Sequence, residues 1–147
     1  MGGSWSGISE AINGLNLMNQ RVDKANALST TEVGAEVERA AKANFEGAHR
    51  RNEPRVPNSS NKPNIVTGTL RRSIRTTGVQ RLAGGYSTTV GPTAIYGRRV
   101  ELGFTGADSR GRRYNQPAYP FFGPGVKEVR LRVHEISVRN WTAAVHG

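Results

Sequence analysis

The 147-residue chain contains no cysteine, which excludes a disulfide scaffold and any thiolate-held zinc. No stretch approaches the ~20 consecutive apolar residues needed to cross a bilayer. No apolar core of a secretion signal follows Met1 either, so neither a membrane span nor export by that route is expected. Acids are scarce: of 11, only Glu53, Glu101, Asp108, Glu128 and Glu135 lie beyond residue 46. No two of them form the clustered carboxylates that a metal-dependent nuclease requires. The three histidines, His49, His134 and His146, are far apart and form no ligand spacing. A Walker-type phosphate loop and a Gly-x-Ser-x-Gly nucleophile elbow are both absent. These absences argue against an enzyme and against a bound metal or organic cofactor. The opening Met1-Gly2-Gly3-Ser4-Trp5-Ser6 fits the short pattern for N-terminal acylation, a weak signal that nothing else supports.

What is abundant is arginine. The net charge is +10, and 17 of the 21 basic residues are Arg. Residues 1–46 carry four basic and six acidic side chains, a net of −2, whereas residues 50–113 carry thirteen and three, a net of +10. The guanidinium fork suits phosphate and carboxylate, so a nucleic acid or an acidic protein surface is the expected neighbour. The length fits one domain over residues 1–147, long enough to bury ~68% of its unfolded surface.

Within that domain residues 1–46 read as helical. Ile8, Ile12, Leu15, Val22 and Ala25 recur near one face. Ser29-Thr30-Thr31-Glu32 is a capping-box sequence, which predicts a new helix start or a bend there. Val33, Val37, Ala40, Ala41 and Phe45 continue an apolar face up to Gly47. Residues 47–64, with three prolines and few apolar side chains, are expected to be a mobile loop. Leu70 and Ile74, four apart, mark a short helix from which Arg71, Arg72 and Arg75 project. Residues 76–91 predict a β-hairpin turning at Gly84-Gly85. Residues 94–104 predict a second short helix, closed by Gly103. A polar, arginine-rich loop bearing Arg110, Arg112 and Arg113 follows. Pro124 then opens an amphipathic helix of roughly 20 residues, through Val126, Val129, Val133, Ile136 and Trp141. The fold class is α+β: helices packed on a small antiparallel sheet. The remaining region, residues 65–147, is the expected α+β core.

Three pieces in order carry a resemblance. They are Val66-Thr67-Gly68-Thr69-Leu70-Arg71-Arg72-Ser73-Ile74, Val90-Gly91-Pro92-Thr93-Ala94-Ile95-Tyr96-Gly97-Arg98-Arg99-Val100-Glu101-Leu102-Gly103 and Gln116-Pro117-Ala118-Tyr119-Pro120-Phe121-Phe122-Gly123-Pro124-Gly125. With a helical start and a C-terminal helix, this order resembles the neck or tail-completion proteins, the head–tail connectors, of long-tailed bacteriophages. The chain departs from the family pattern in its Pro-rich stretch 52–64 and in the longer, more basic segment after Gly103.

The resemblance implies a structural virion protein, assembled in the host bacterial cytoplasm. It would form a ring homo-oligomer, hexameric or dodecameric, at the head–tail junction, against other neck, portal-adaptor and tail proteins. Double-stranded DNA would pass through the ring in non-specific contact, with no membrane partner. Thr67, Gly68, Leu70, Ser73, Ile74, Tyr96, Glu101, Gly103, Pro120, Phe121 and Pro124 would then be structural. Glu101, beside Arg98 and Arg99, is expected to pair with a basic residue within or between subunits, and Tyr96, Val100 and Leu102 to pack the second short helix. Arg71, Arg72, Arg75, Arg98, Arg99, Arg110, Arg112 and Arg113 would face DNA or a partner. The competing reading is a free-standing basic nucleic-acid-binding protein.

Overall fold

The computed structural model describes residues 5–58 and 60–147. Residues 1–4, which carry most of the acylation pattern and the start of the expected helical region, and Ser59 of the loop therefore lie outside the described residues. Helix α1 (Trp5–Ala43) is a single 39-residue element, about 58 Å long at 1.5 Å per residue. The helix start expected at Ser29 does not occur. The hydroxyls that would cap it turn back instead: Ser29 donates to the Ala25 carbonyl (2.8 Å), Thr30 to Asn26 (2.9 Å) and Thr31 to Ala27 (2.9 Å). The same residue types serve a cap or an i−4 bond, depending on what surrounds them. Glu32 meanwhile turns to Arg139 and Asn140 on another helix.

After α1, residues 44–68 double back, tied by asparagines. Asn64 and Asn58 both donate to the Glu46 carbonyl, at 2.6 and 3.1 Å. The Lys62 amide donates to Asn58 Oδ1 (2.9 Å), and Arg55 stacks 4.1 Å above the Tyr119 ring. Helix α2 (Thr69–Ser73) leads straight into strand β1 (Ile74–Thr76). Ile74 thus begins a strand rather than extending the helix with Leu70, as the spacing predicts. Strands β2 (Gln80–Leu82), β3 (Gly85–Ser87) and β4 (Val90–Pro92) complete one interrupted antiparallel hairpin, with β1 on β4 and β2 on β3. Leu82 pairs with Gly85, so the turn sits on Ala83–Gly84, one residue before the expected pair. The hairpin lies close on α1: a Cβ on Gly34 would stand 2.8 Å from the Thr76 methyl and 2.9 Å from that of Thr88.

Helix α3 (Gly97–Leu102) ends, as the sequence predicts, at Gly103, whose φ is +74°. A second hairpin follows, strands β5 (Phe104–Ala107) and β6 (Arg113–Gln116), where a polar loop is expected. The C-terminal helix is two helices rather than one, α4 (Phe122–Arg130) and α5 (Val133–His146). At the break the Arg132 amide bonds the Val129 carbonyl (2.8 Å), an i−3 turn that tightens the backbone. The Arg132 guanidinium reaches across to Glu36 of α1 (3.0 Å). Pro124 is the third residue of α4, still within the turn whose amides have no helical partner.

Helices α4 and α5 run antiparallel along α1. Gly125 meets Ala40 and Ala41, Arg132 meets Glu36, Asn140 meets Ser29 and Glu32, and Trp141 donates to Asn26 (2.7 Å). The crossing is closest at Gly125, where a Cβ would lie 2.7 Å from the Ala41 amide nitrogen. Ala41, Ile74 and Phe121 form the sealed core, with Phe45, Leu70, Val100 and Phe122 packed around it. Among the described residues no helix is long and apolar enough to cross a membrane.

Candidate assembly site at the motif junction

The three sequence pieces, distant along the chain, meet at this core. Gly68 enters α2 with φ +72°, a left-handed conformation that favours glycine. Thr67 Oγ1 accepts from the Thr69 amide (3.3 Å), and its carbonyl accepts from Arg72 (3.0 Å). Ser73 Oγ donates to the Leu70 carbonyl (2.7 Å), and the Ser73 carbonyl accepts from the Thr93 amide (3.0 Å). Ile74, fully buried, pairs with Pro92. Gly97 is buried between Pro92 and Leu70: a Cβ there would stand 2.8 Å from Pro92 Cγ. Gly103 is equally constrained, with the Gln116 carbonyl 2.8 Å from where its Cβ would be. Its positive φ and this contact both require glycine.

Within the chain, Glu101 is held by backbone amides rather than by a basic side chain. Among the described residues it makes no ion pair with Arg98 or Arg99. Its carboxylate accepts three amides in succession: Phe121 (2.8 Å) and Phe122 (2.9 Å) on Oε2, and Gly123 (2.8 Å) on Oε1. It is the N-terminal cap of α4, supplied from another helix. An N-terminus holds amides without a helical acceptor and carries partial positive charge, so a carboxylate fits there. Phe121 cannot cap its own helix with a side-chain hydrogen bond, and Glu101 does it from α3. Asn44 closes the junction by donating to the Phe121 carbonyl (3.0 Å). Of the residues expected to pack α3, Val100 does so. Tyr96 and Leu102 are largely exposed, because α3 is only six residues long and turns one side to the core.

The flagged arginines do not form one surface. Arg71, Arg72 and Arg75 line a shallow cleft of about 220 Å³ together with Lys42 of α1. Arg71 is positioned there by donating to the Lys42 carbonyl (3.0 Å). Lys42 is partly neutralised by Glu38. That pairing, then bonds from Thr76, hold the Glu38 carboxyl below its usual range. Arg99 belongs to a different group. It stacks 4.3 Å above Phe104 and 5.0 Å from the Tyr114 centroid, bracing the second hairpin by cation–π attraction. Arg110 and Arg112 sit in that hairpin's turn, wrapped round Asp108. Asp108 accepts both their amides (2.9 and 3.0 Å) and pairs with the Arg112 guanidinium (2.7 Å). The Arg112 hydrogen bond, foremost, holds the Asp108 carboxyl below its usual range. Arg98 is exposed on α3 and Arg113 on β6.

Among the described residues, only Arg112 of the eight flagged arginines has a carboxylate within ion-pair distance. The others keep their charge facing solvent, aromatic rings or backbone carbonyls. Lys42 and Asp108 are the contributors that sequence reasoning passed over. Asp108-Ser109-Arg110-Gly111 does carry a turn signal, but nothing in the chain announces that Lys42 lies beside α2.

A family model described as "Bacteriophage HK97-gp10, putative tail-component" matches residues 9–103, from the first turns of α1 to the glycine that closes α3. No curated protein and no solved structure matches the chain. The match takes in nearly two-thirds of the sequence, including two of the three motif pieces, and the chain belongs to the HK97-gp10-like family of bacteriophage tail components.

Proposed function

We propose that this tail component acts as a neck or tail-completion subunit. It would form a ring at the head–tail junction, join the portal or connector to the tail and surround the DNA passage. The observation that carries this reading is the distribution of arginine charge. Among the described residues, seven flagged arginines lack a carboxylate partner; three gather with Lys42 in one shallow cleft, and the other four are spread over α3 and the second hairpin, so the charge follows no single track. A dispersed basic surface meets phosphates without sequence readout and lets DNA slide. It also leaves charge for acidic neighbours in a stack of rings. A free-standing nucleic-acid binder would concentrate that charge along one track.

The role is structural rather than enzymatic. The motif residues are spent on packing, capping and backbone geometry, and the partners are other phage structural proteins and further copies of this chain. The test is placement in the particle. Epitope-tagged protein, produced during phage growth, should co-purify with tailed virions and be labelled by antibody at the head–tail junction in negative-stain images. Label along the tail shaft or at its tip would sink the neck assignment. A persistent monomer that binds duplex DNA with a steep salt dependence and is absent from particles would support the free-standing binder.

A further inference from the structure

Two apolar stripes on this molecule are left without a cover. The first is on the N-terminal arm of α1. Every residue from 6 to 21 is exposed, and Ile8, Ile12, Leu15 and Met18 are 46–63% accessible. At 100° per residue they fall, with Ala11, on the side of α1 that α5 covers further along through Ala25, Asn26 and Ser29. The arm's stripe is thus the uncovered continuation of the α1–α5 seam. The seam stops at the groove formed by Arg21, Lys24, Leu28 and the last turn of α5. The second stripe is on the outer side of α4–α5, opposite buried Ile136. It comprises Leu131 at the break and Val138 and Val145 on α5, from 41 to 86% accessible; the Trp141 ring lies beside them, its indole N–H held by Asn26 of α1. The arm's stripe runs about 15 Å from Ile8 to Met18, and that on α5 about 10 Å from Val138 to Val145.

The arm is a poor helix by composition. It carries Gly7 and Gly14, with open space where each Cβ would stand, and Asn13, Asn16 and Asn19. Such residues favour other conformations, and helices of this length are marginal alone in water. Tertiary cover would therefore strengthen this end of α1. Within one chain α5 cannot supply its outer side, because its inner side is already bonded to α1 through Asn140.

We propose that the arm, residues 6–21, docks along the outer face of α5 of a second copy of this chain, Ile12 and Leu15 packing against Val138, Trp141 and Val145. The contact joins two different surfaces, so it is heterologous. Repetition round a rotation axis closes a ring, with each subunit giving one arm and receiving one. This inference rests on the ring reading above and names the surfaces that hold the ring together.

The absence of cysteine makes the test clean. Leu15→Cys and Val138→Cys, made separately, are mixed and treated with a short bis-maleimide. The expected result is a crosslinked pair in the mixture, at least tenfold above either variant alone. A dominant Leu15–Leu15 product would mean arm-to-arm pairing, and a product with Ile95→Cys would place the arm at the exposed turn before α3. Either overturns the proposal, as does a lack of any product at concentrations where the chain is multimeric, or a chain that stays monomeric throughout.

A second measurement uses mass. Leu15→Asp and Val138→Asp each spoil one surface, so each alone should be monomeric. Their mixture should stop at two chains, because one intact arm meets one intact α5. Helical content and melting temperature equal to those of the dilute, monomeric wild type separate this from misfolding. Wild-type protein at the head–tail junction without a Leu15–Val138 product would overturn this contact and leave the ring reading standing. Absence from the particle would overturn the ring reading whatever the crosslinks show.

Discussion

The two halves of α1 are one helix in two environments. From Ala25 onward it is covered by α4, α5 and the first hairpin. Ala40 and Ala41 are sealed, Gly34 admits two threonine methyls, and Glu32, Glu36 and Glu38 all reach partners on other elements or along the helix. From residue 6 to 21 the same helix buries nothing. Both halves carry apolar residues at helical spacing, so periodicity alone does not separate them. What separates them is the size of the residues facing the seam. The covered half offers Gly and Ala, which let α4 and the hairpin approach closely. The uncovered half offers Ile, Leu and Met, which would hold a neighbour further off and bury more apolar area against it. The first half-surface suits permanent contact within the chain, and the second suits contact made on assembly.

The strongest way to break the covered half is at Phe121. Its ring is fully buried and 5.1 Å from Phe45. Phe121→Ala should destabilise the chain by about 3–5 kcal/mol, read from chemical denaturation. A loss under 1 kcal/mol would mean that the α4–α1 seam is not the core of the fold.

Next in size is the cap. Glu101→Ala leaves the amides of Phe121, Phe122 and Gly123 without their acceptor and should cost about 1–3 kcal/mol. Glu101→Gln keeps an acceptor but loses the charge, so it should cost less. If Gln and Ala were equally harmful, charge at the α4 N-terminus would be the whole effect. If both were silent, the cap would contribute nothing.

Glu101 also shows what was legible in the sequence and what was not. The motif pieces were visible, and so were Gly103 as a helix end, the first hairpin and the Phe121–Phe122 entry to the last helices. Local signals sufficed there, because turn residues and alternation act within a few positions. The partner of Glu101 was not visible: its three amides lie 20 to 22 residues away, and the nearest cations in sequence, Arg98 and Arg99, suggested an ion pair that does not form. Ser29-Thr30-Thr31-Glu32 misled for a related reason, since hydroxyls that cap a helix also bond back within one. The second hairpin was hidden by Gly106, Gly111 and its arginines, which mask the alternation of Phe104, Tyr114 and Gln116. The break at Leu131–Arg132 comes with a contact from Arg132 to Glu36, almost a hundred residues earlier. The gathering of Lys42 with Arg71, Arg72 and Arg75 is likewise a product of packing.

The acids of the covered half give a smaller, pH-dependent effect. The Glu32 carboxyl is lowered by Asn140 and then Arg139, Glu36 by Arg39 and then Arg132, and Glu38 by Lys42 and then Thr76. A carboxyl that is lowered in the folded state binds its proton more readily when unfolded. Its contribution is therefore complete above the ordinary value of 4.5 and lost as pH falls below it through the folded value. These groups are partly exposed, so each pair should be worth less than about 1 kcal/mol. Melting temperature should be flat from neutral pH down to about 5 and then decline. Glu38→Gln, which keeps the side chain's shape while removing its charge, should make that decline shallower. A decline already under way at pH 6 to 7, or one unaltered by Glu38→Gln, would place the acid sensitivity elsewhere.

The smallest effect is expected in the arm, and its smallness is what gives it meaning. Ile12 is half-exposed and lies at the centre of a segment that buries nothing in the single chain. Ile12→Ala should change the stability of the dilute, monomeric protein by less than about 0.5 kcal/mol, since there is no cavity to leave. Alanine is also the better helix former and offsets part of any loss. The same substitution at a covered position would remove transfer energy and open a void. Should Ile12→Ala cost 2 kcal/mol or more under conditions where light scattering reports a single 15.9 kDa chain, the arm would be folded back on its own body and the contrast between the halves of α1 would fail. Should it be silent in the monomer yet lower the melting temperature of the assembled form by several degrees, then Ile12 would be a residue whose burial comes only with a neighbour. Stability that depends on protein concentration is the mark of such a contact.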